Sequence, residues 1–235
     1  CGLATGVHAQ VPSATVKTDQ VRAELLAHAP QGIQAGQTFW LGLHIQHQPH
    51  WHTYWQNPGD SGLPTQLEWQ LPAGIQAGDI HWPLPRKLKA GSLTNYGFEG
   101  TTLLAVPLLV DKSFNAKAQQ TLEVQLHANW LVCRLECIPQ EGDFVLRIPT
   151  QSSTAPLAPA FEAVRAQQPQ ALTNAKATAT FDEQHLLVHL LDALAHRRKQ
   201  LAIEDLVEAG LELGLPGGAD GVVLQAVEQP RVGGA

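Results

Sequence analysis

Two cysteines separated by three residues lie in the segment Trp130-Leu131-Val132-Cys133-Arg134-Leu135-Glu136-Cys137-Ile138-Pro139. On a straight strand, residues four apart in sequence stand about 13 Å apart, because each residue advances ~3.3 Å. A disulfide needs Cα atoms within about 7 Å. If Cys133 and Cys137 pair, the chain must therefore turn back between them. The simplest geometry is a hairpin with the sulfurs at its neck or in its loop, and with Arg134, Leu135 and Glu136 as the turn. Pro139 has no backbone N–H and suits an edge position. A close dithiol supplies both parts of thiol–disulfide exchange: one thiolate attacks a partner's disulfide, and a second thiol resolves the mixed disulfide. Arg134 favours the thiolate and Glu136 opposes it, so the neighbours give no net direction. Three other readings stay open here: a permanent structural bridge, half of a metal site, or two unrelated buried thiols. A structural bridge usually joins distant segments, since short loops gain less. Zinc sites favour C-x2-C spacing with a second ligand pair, and the chain has 3 cysteines in all.

A second cluster with chemical potential is His44, His47, His50 and His52, beside Trp51, Tyr54 and Trp55. Imidazoles at this density suit copper or zinc. His50 and His52 share a strand face, but Pro49 interrupts the run from His44, and a metal needs convergent ligands. A polar sheet face followed by a loop is the favoured reading, and no metal ligand set is assigned.

The elements that must position these residues are mostly β. From Val16 to Ile148, short alternating runs are separated by Gly, Pro, Asn and Asp. Phe39, Leu41, Leu43 and Ile45 fall on one face of their run. Gln66–Leu71 alternates likewise, and Leu122, Val124 and Leu126 alternate with Glu123, Gln125 and His127. Thr102–Val110 is a more continuous apolar strand, and Phe144–Ile148 a last one. Many short strands with regular turn signals predict a sandwich of two antiparallel sheets. Two prolines and two glycines make Asn57–Pro64 a fixed turn, read as a rigid corner. Trp69 and Trp82 are expected to fill the core. Residues 151–170 shift to Gln, Ser, Pro and Ala and read as a linker, with a short helix near Phe161–Gln167. Residues 171–235 read as a second, smaller, mainly β domain, incomplete at its end. Ala177–Phe181 and His185–Leu191 are its candidate strands, while Glu204–Leu211 is compatible with helix.

The 235-residue chain has 44% apolar residues and a net charge of −6, with scattered Lys and Arg. Nucleic acid is excluded as a partner on charge. There is no apolar run of ~18 residues to span a membrane. Residues 1–9 read as the remnant of an export signal, with Val7-His8-Ala9 as an A-x-A-like cleavage pattern before Gln10. Export would place Cys133 and Cys137 where thiol pairs can form bonds.

Three blocks, taken together, resemble a known family. They are Trp51-His52-Thr53-Tyr54-Trp55-Gln56-Asn57-Pro58-Gly59-Asp60-Ser61-Gly62-Leu63-Pro64, then Asn95-Tyr96-Gly97-Phe98-Glu99-Gly100, then Trp130–Pro139 with its two cysteines. In this order they resemble the periplasmic N-terminal domain of the DsbD/ScsB group of thiol:disulfide interchange proteins, closer to the ScsB type. The match covers about Val16 to Pro149. The resemblance implies an immunoglobulin-like antiparallel β-sandwich over residues 10–150, whose Cys133 and Cys137 cycle between dithiol and disulfide without a cofactor. It implies electrons received from a membrane-embedded domain of the same polypeptide, anchored in the inner membrane. They would pass to thioredoxin-like periplasmic client proteins, with Cys137 engaging the partner. By position, Leu93–Glu99 lies where the family has a cap loop, with Asn95, Tyr96, Gly97 and Phe98 in it and Tyr96 as lid. His52 and Tyr54 fall on the strand beside the pair, and Trp130 leads into it. The family is associated with cytochrome c biogenesis, and its ScsB type with copper tolerance. The DsbD type has a wider separation between its cysteines. The rival class is a secreted β-sandwich binding module for a protein or copper, with a static Cys133–Cys137 bond.

Overall fold

The computed structural model describes residues 13–115, 120–151 and 157–168, and the five strands between residues 175 and 225 given below. Eleven strands build the larger unit: β1 (Thr15–Lys17), β2 (Val21–His28), β3 (Thr38–His47), β4 (His52–Gly59), β5 (Gln66–Gln70), β6 (Ile75–Ala77), β7 (Arg86–Ala90), β8 (Leu93–Glu99), β9 (Thr101–Val110), β10 (Thr121–Cys133) and β11 (Cys137–Pro149). One sheet has the order β1-β2-β3-β9-β6. The other has the order β11-β10-β4-β8-β7, with β5 added along β10. The pairings within both sheets are antiparallel.

The alternation in the sequence is what closes the sandwich. Residues two apart on a strand share a face. Val21, Ala23 and Leu25 of β2, Phe39, Leu41, Leu43 and Ile45 of β3, and Leu104, Val106 and Leu108 of β9 form the inner face of the first sheet. Leu122, Val124, Leu126, Ala128, Trp130 and Val132 of β10, with Phe144 and Ile148 of β11, meet them from the second. Trp69 and Trp82 pack against this core while half-buried.

The helix expected near Phe161 is α1 (Ala158–Ala166). It lies on the outer face of the first sheet. Phe161 and Val164 bury themselves against Leu103 and Ala105, with Leu26 and Trp40 at the margin. Gly42 makes the seat: a Cβ there would lie 2.6 Å from Leu103 Cδ1 and 2.9 Å from the Phe161 ring. Arg165 stacks over Trp40, its guanidinium carbon 5.6 Å from the ring centroid. At the helix end, Gln167 accepts from the Leu84 amide at 3.4 Å and Gln168 donates to the Trp82 carbonyl at 3.1 Å.

Further strands are β12 (Ala175–Phe181), β13 (Leu186–Asp192) and β14 (Arg198–Leu201), paired in that order, and β15 (Glu212–Gly214) paired with β16 (Val223–Gln225). The two strands expected at Ala177–Phe181 and His185–Leu191 are β12 and β13. The expectations for residues 1–9 and for Glu204–Leu211 lie outside the described residues.

Candidate functional site

Strands β10 and β11 run as one antiparallel hairpin from Thr121↔Pro149 to Cys133↔Cys137. The cysteines are its last register pair. Their Cα atoms are 4.2 Å apart and their sulfurs are bonded. Arg134, Leu135 and Glu136 form the tip, closed by the Arg134 amide donating to the Glu136 carbonyl at 3.0 Å. The hairpin predicted from the spacing is thus the observed one.

Core-facing residues of β10 carry even numbers, so Cys133 and Cys137 lie on the outer face of the second sheet. They are not equivalent there. Cys133 is 3% exposed, whereas Cys137 is open to solvent. Leu135 at the tip is 96% exposed, and Leu63 beside the hairpin is 64% exposed. A groove of about 500 Å³ runs along the neck of the hairpin, from Leu131 and Pro139 next to the pair's register to Leu63 and Pro64, with Asn129, Gln140 and Glu141 also in its wall.

Strand β4 supplies the neighbours. His52 is the register partner of Cys133. Tyr54 follows on the same face, its ring edge-on to His52 at 5.2 Å. The Tyr54 hydroxyl lies 3.7 Å from the Cys137 sulfur. A disulfide sulfur carries no hydrogen, so the hydroxyl is the donor. Burial pushes the Tyr54 phenol up from its ordinary value, which keeps that hydrogen in place across the neutral range. Burial lowers the His52 imidazole, with Glu99 pulling the other way. Arg134 sits over the Trp51 ring, its guanidinium carbon 5.2 Å from the centroid.

The family model for the N-terminal region of thiol:disulfide interchange protein DsbD matches residues 22–149. This chain belongs to that family. As a DsbD N-terminal domain it is a thiol:disulfide interchange domain with an immunoglobulin-like β-sandwich fold. The crystal structure of the N-terminal periplasmic domain of ScsB from Proteus mirabilis superposes with a TM-score of 0.54 at 16% identity, covering 88% of this chain and 75% of that one. That likeness shows the fold. A yeast GGA1 GAE domain aligns over 56% of this chain and 94% of its own, with TM-score 0.31 and 10% identity, too slight for inference. No curated protein matches the chain significantly in sequence.

The structure also places the remaining predicted site residues of this DsbD-type domain. Leu93–Glu99, expected as a loop, is strand β8, paired with both β4 and β7. Gly97 explains the tightness, since a Cβ there would overlap the Thr53 carbonyl. Tyr96 is half-buried against the core, and Phe98 is buried and stacked on Trp82 with centroids 6.4 Å apart. Asn95 is 1% exposed and directs its amide to Ser61. Trp130 is a core residue whose indole N–H donates to Gln140 at 3.0 Å. Gln140 in turn donates to Gln20 at 2.7 Å and accepts from Thr18 at 3.1 Å, which fastens the hairpin to the first sheet's edge.

The histidines do not converge. His47 has both ring nitrogens engaged, Nδ1 with the Gly100 carbonyl and Nε2 with the Thr53 hydroxyl, each at 3.0 Å. The neutral ring donates from Nδ1 and accepts at Nε2. Burial pulls its pKa from 6.5 to about 4. His50 sits in a turn with φ of 68°. Among the described residues, no group of three His, Cys, Asp or Glu is disposed to hold a metal ion.

One feature escaped the sequence reading. Strand β4 continues through Asn57–Gly59, and its register shifts before Gly59 meets Asn95. The irregular stretch is therefore shorter than Asn57–Pro64. Tyr54, expected on the strand beside the pair, is found there and adds a hydroxyl at the sulfur.

Proposed function

We propose that Cys133 and Cys137 are the exchanging pair of a periplasmic electron courier. It takes electrons from a membrane-embedded donor domain of the same full-length protein and gives them to thioredoxin-like client proteins. In this reading residues 10–150 are the exchange domain, preceded by an export-signal remnant. A linker over residues 151–170 joins it to a second β-rich unit at 171–235. One observation carries the proposal: an exposed cysteine is bonded to a buried one across the last register pair of a hairpin.

The asymmetry supports one order of events. In the reduced domain the Cys137 thiolate attacks a client disulfide, because an incoming sulfur can reach only the exposed partner. One client sulfur leaves with the bonding pair and a mixed disulfide remains. The Cys133 thiol, deprotonated, then attacks Cys137 Sγ. The second client sulfur leaves as a thiolate, and the Cys133–Cys137 bond is restored. Two electrons have passed to the client. A dithiol donor reverses the sequence on this side, again through Cys137. Exposed Leu135 and Pro139, with the groove along the hairpin neck, offer a surface against which a docking partner excludes water.

The test is equilibration of the purified domain with glutathione. A pair that equilibrates with that pool supports exchange. A reduction potential well below about −300 mV marks an inert structural bond and overturns the proposal in favour of a binding module. A Cys133→Ala variant is expected to trap a mixed disulfide with a thioredoxin-fold client, and Cys137→Ala is not.

A further inference from the structure

The Tyr54 hydroxyl does not find the sulfur unaided. Tyr54 is 2% exposed and held from two sides. The His52 ring meets it edge-on. On the other side stands Gly62, with φ of +100°, where a Cβ would overlap the Tyr54 ring. Pro64 bridges Tyr54 through the backbone. The turn that carries Gly62 is bolted to β8 by polar contacts. The Asp60 amide donates to the Thr94 carbonyl at 3.0 Å, and the Thr94 amide donates to the Asp60 carboxylate at 2.8 Å. The Ser61 amide donates to Asn95 Oδ1 at 3.0 Å, and the Asn95 amide nitrogen donates to Ser61 Oγ at 3.0 Å. Asn95 is buried, and both ends of its amide are used on this turn. Gly59, with φ of +86°, starts the turn where a Cβ would press on the Thr94 carbonyl at 2.5 Å.

We propose that Asn95 is a positioning residue: through the Asp60–Gly62 turn it presses the Tyr54 ring into place and so holds the Tyr54 hydroxyl on Cys137 Sγ. The proposal rests on the exchange reading above. Its chemical consequence falls on the reduced state. When the mixed disulfide is resolved toward reduction of this domain, Cys137 leaves with the bonding electron pair. The Tyr54 O–H then donates to the thiolate without transferring its proton. Charge-assisted hydrogen bonds of this kind are stronger than neutral ones, so the thiolate is favoured over the thiol. Asn95 touches neither sulfur in this account. It acts at a distance by denying the turn, and hence the ring, any other position.

The experiment isolates Cys137 in a Cys133→Ala background and follows thiolate absorbance near 240 nm against pH. Tyr54→Phe is expected to raise the midpoint by roughly one pH unit, a tenfold change in thiolate fraction at fixed pH. Asn95→Ala is expected to raise it by a smaller amount in the same direction. The double variant is expected to match Tyr54→Phe alone, since both substitutions remove one interaction. Ser61→Ala supplies an independent variant should Asn95→Ala fail to fold. An Asn95→Ala or Ser61→Ala shift that adds in full to that of Tyr54→Phe would overturn the proposal. So would a folded variant whose midpoint equals that of the parent. These outcomes are separate from failure of the exchange reading, which is a wild-type pair that glutathione does not touch.

Discussion

The two outer faces of the sandwich are finished in opposite ways. On the first sheet, Gly42, Leu103 and Ala105 are sealed by α1, whose Phe161 is wholly buried. On the second, Tyr54 beside the cysteine pair lies under a short turn held by backbone and amide hydrogen bonds, and Cys137 stays open. An apolar plug maximises area removed from water, which stabilises. A polar latch adds little net free energy per bond, because water offers the same partners when it opens. One face is therefore built for permanence and the other for access.

The largest effect should come from the open face, and on activity rather than stability. Replacing Cys137 by Ala is expected to abolish exchange with a disulfide client, read as loss of client thiols in a coupled assay. The loop closed by the bond is short, so global stability should fall by no more than roughly 2 kcal/mol in urea unfolding. A larger loss would make the bond a structural staple.

Phe161→Ala breaks the sealed face. It is expected to cost about 3–5 kcal/mol in urea unfolding, while the exchange rate stays within twofold of wild type. A matching collapse of exchange would show that the two faces are coupled.

Between them stands His47, on the first sheet's β3, bound to Thr53 of β4 in the second. Its native pKa of about 4 lies below the ordinary 6.5, so the unfolded chain binds the extra proton first. The fold's preference for the neutral ring is fully present above about pH 6.5 and is lost as pH falls toward 4. His52 shifts in the same direction. Stability should thus decline over that window by on the order of 1–3 kcal/mol, and His47→Gln should flatten the decline. An unchanged slope in that variant would remove His47 from the account.

The smallest effect is expected at Gln140, which ties the hairpin to Thr18 and Gln20. Gln140→Ala should cost about 1 kcal/mol in urea unfolding, with faster amide exchange confined to the hairpin neck. Faster exchange spread across β2 and β3 would argue against a local tie.

What could be read in advance follows the same division. The hairpin was legible because Cys133, Cys137 and Pro139 constrain a short stretch through local geometry. The strands of the inner face were legible because Phe39, Leu41, Leu43 and Ile45 alternate without interruption. The sealed outer face was not, since nothing near Trp40 and Gly42 in sequence announces the helix some 120 residues later that packs there. Leu93–Glu99 reads as a cap loop from its position in the family resemblance, and its strand is hard to see locally because Asn95 and Gly97 are poor strand formers. Their places are set by Ser61 and Thr53, which are distant in sequence. The role of the Asp60–Gly62 turn was hidden for the same reason: a glycine against an aromatic ring leaves no local trace.

Because Cys133 and Cys137 end a ladder that backbone pairing already holds, opening their bond does not release the chain around them. The two sulfurs remain neighbours at high effective molarity. Reclosure then needs no search through conformations, and the cost of each turnover shifts from reorganising this molecule to meeting the next one.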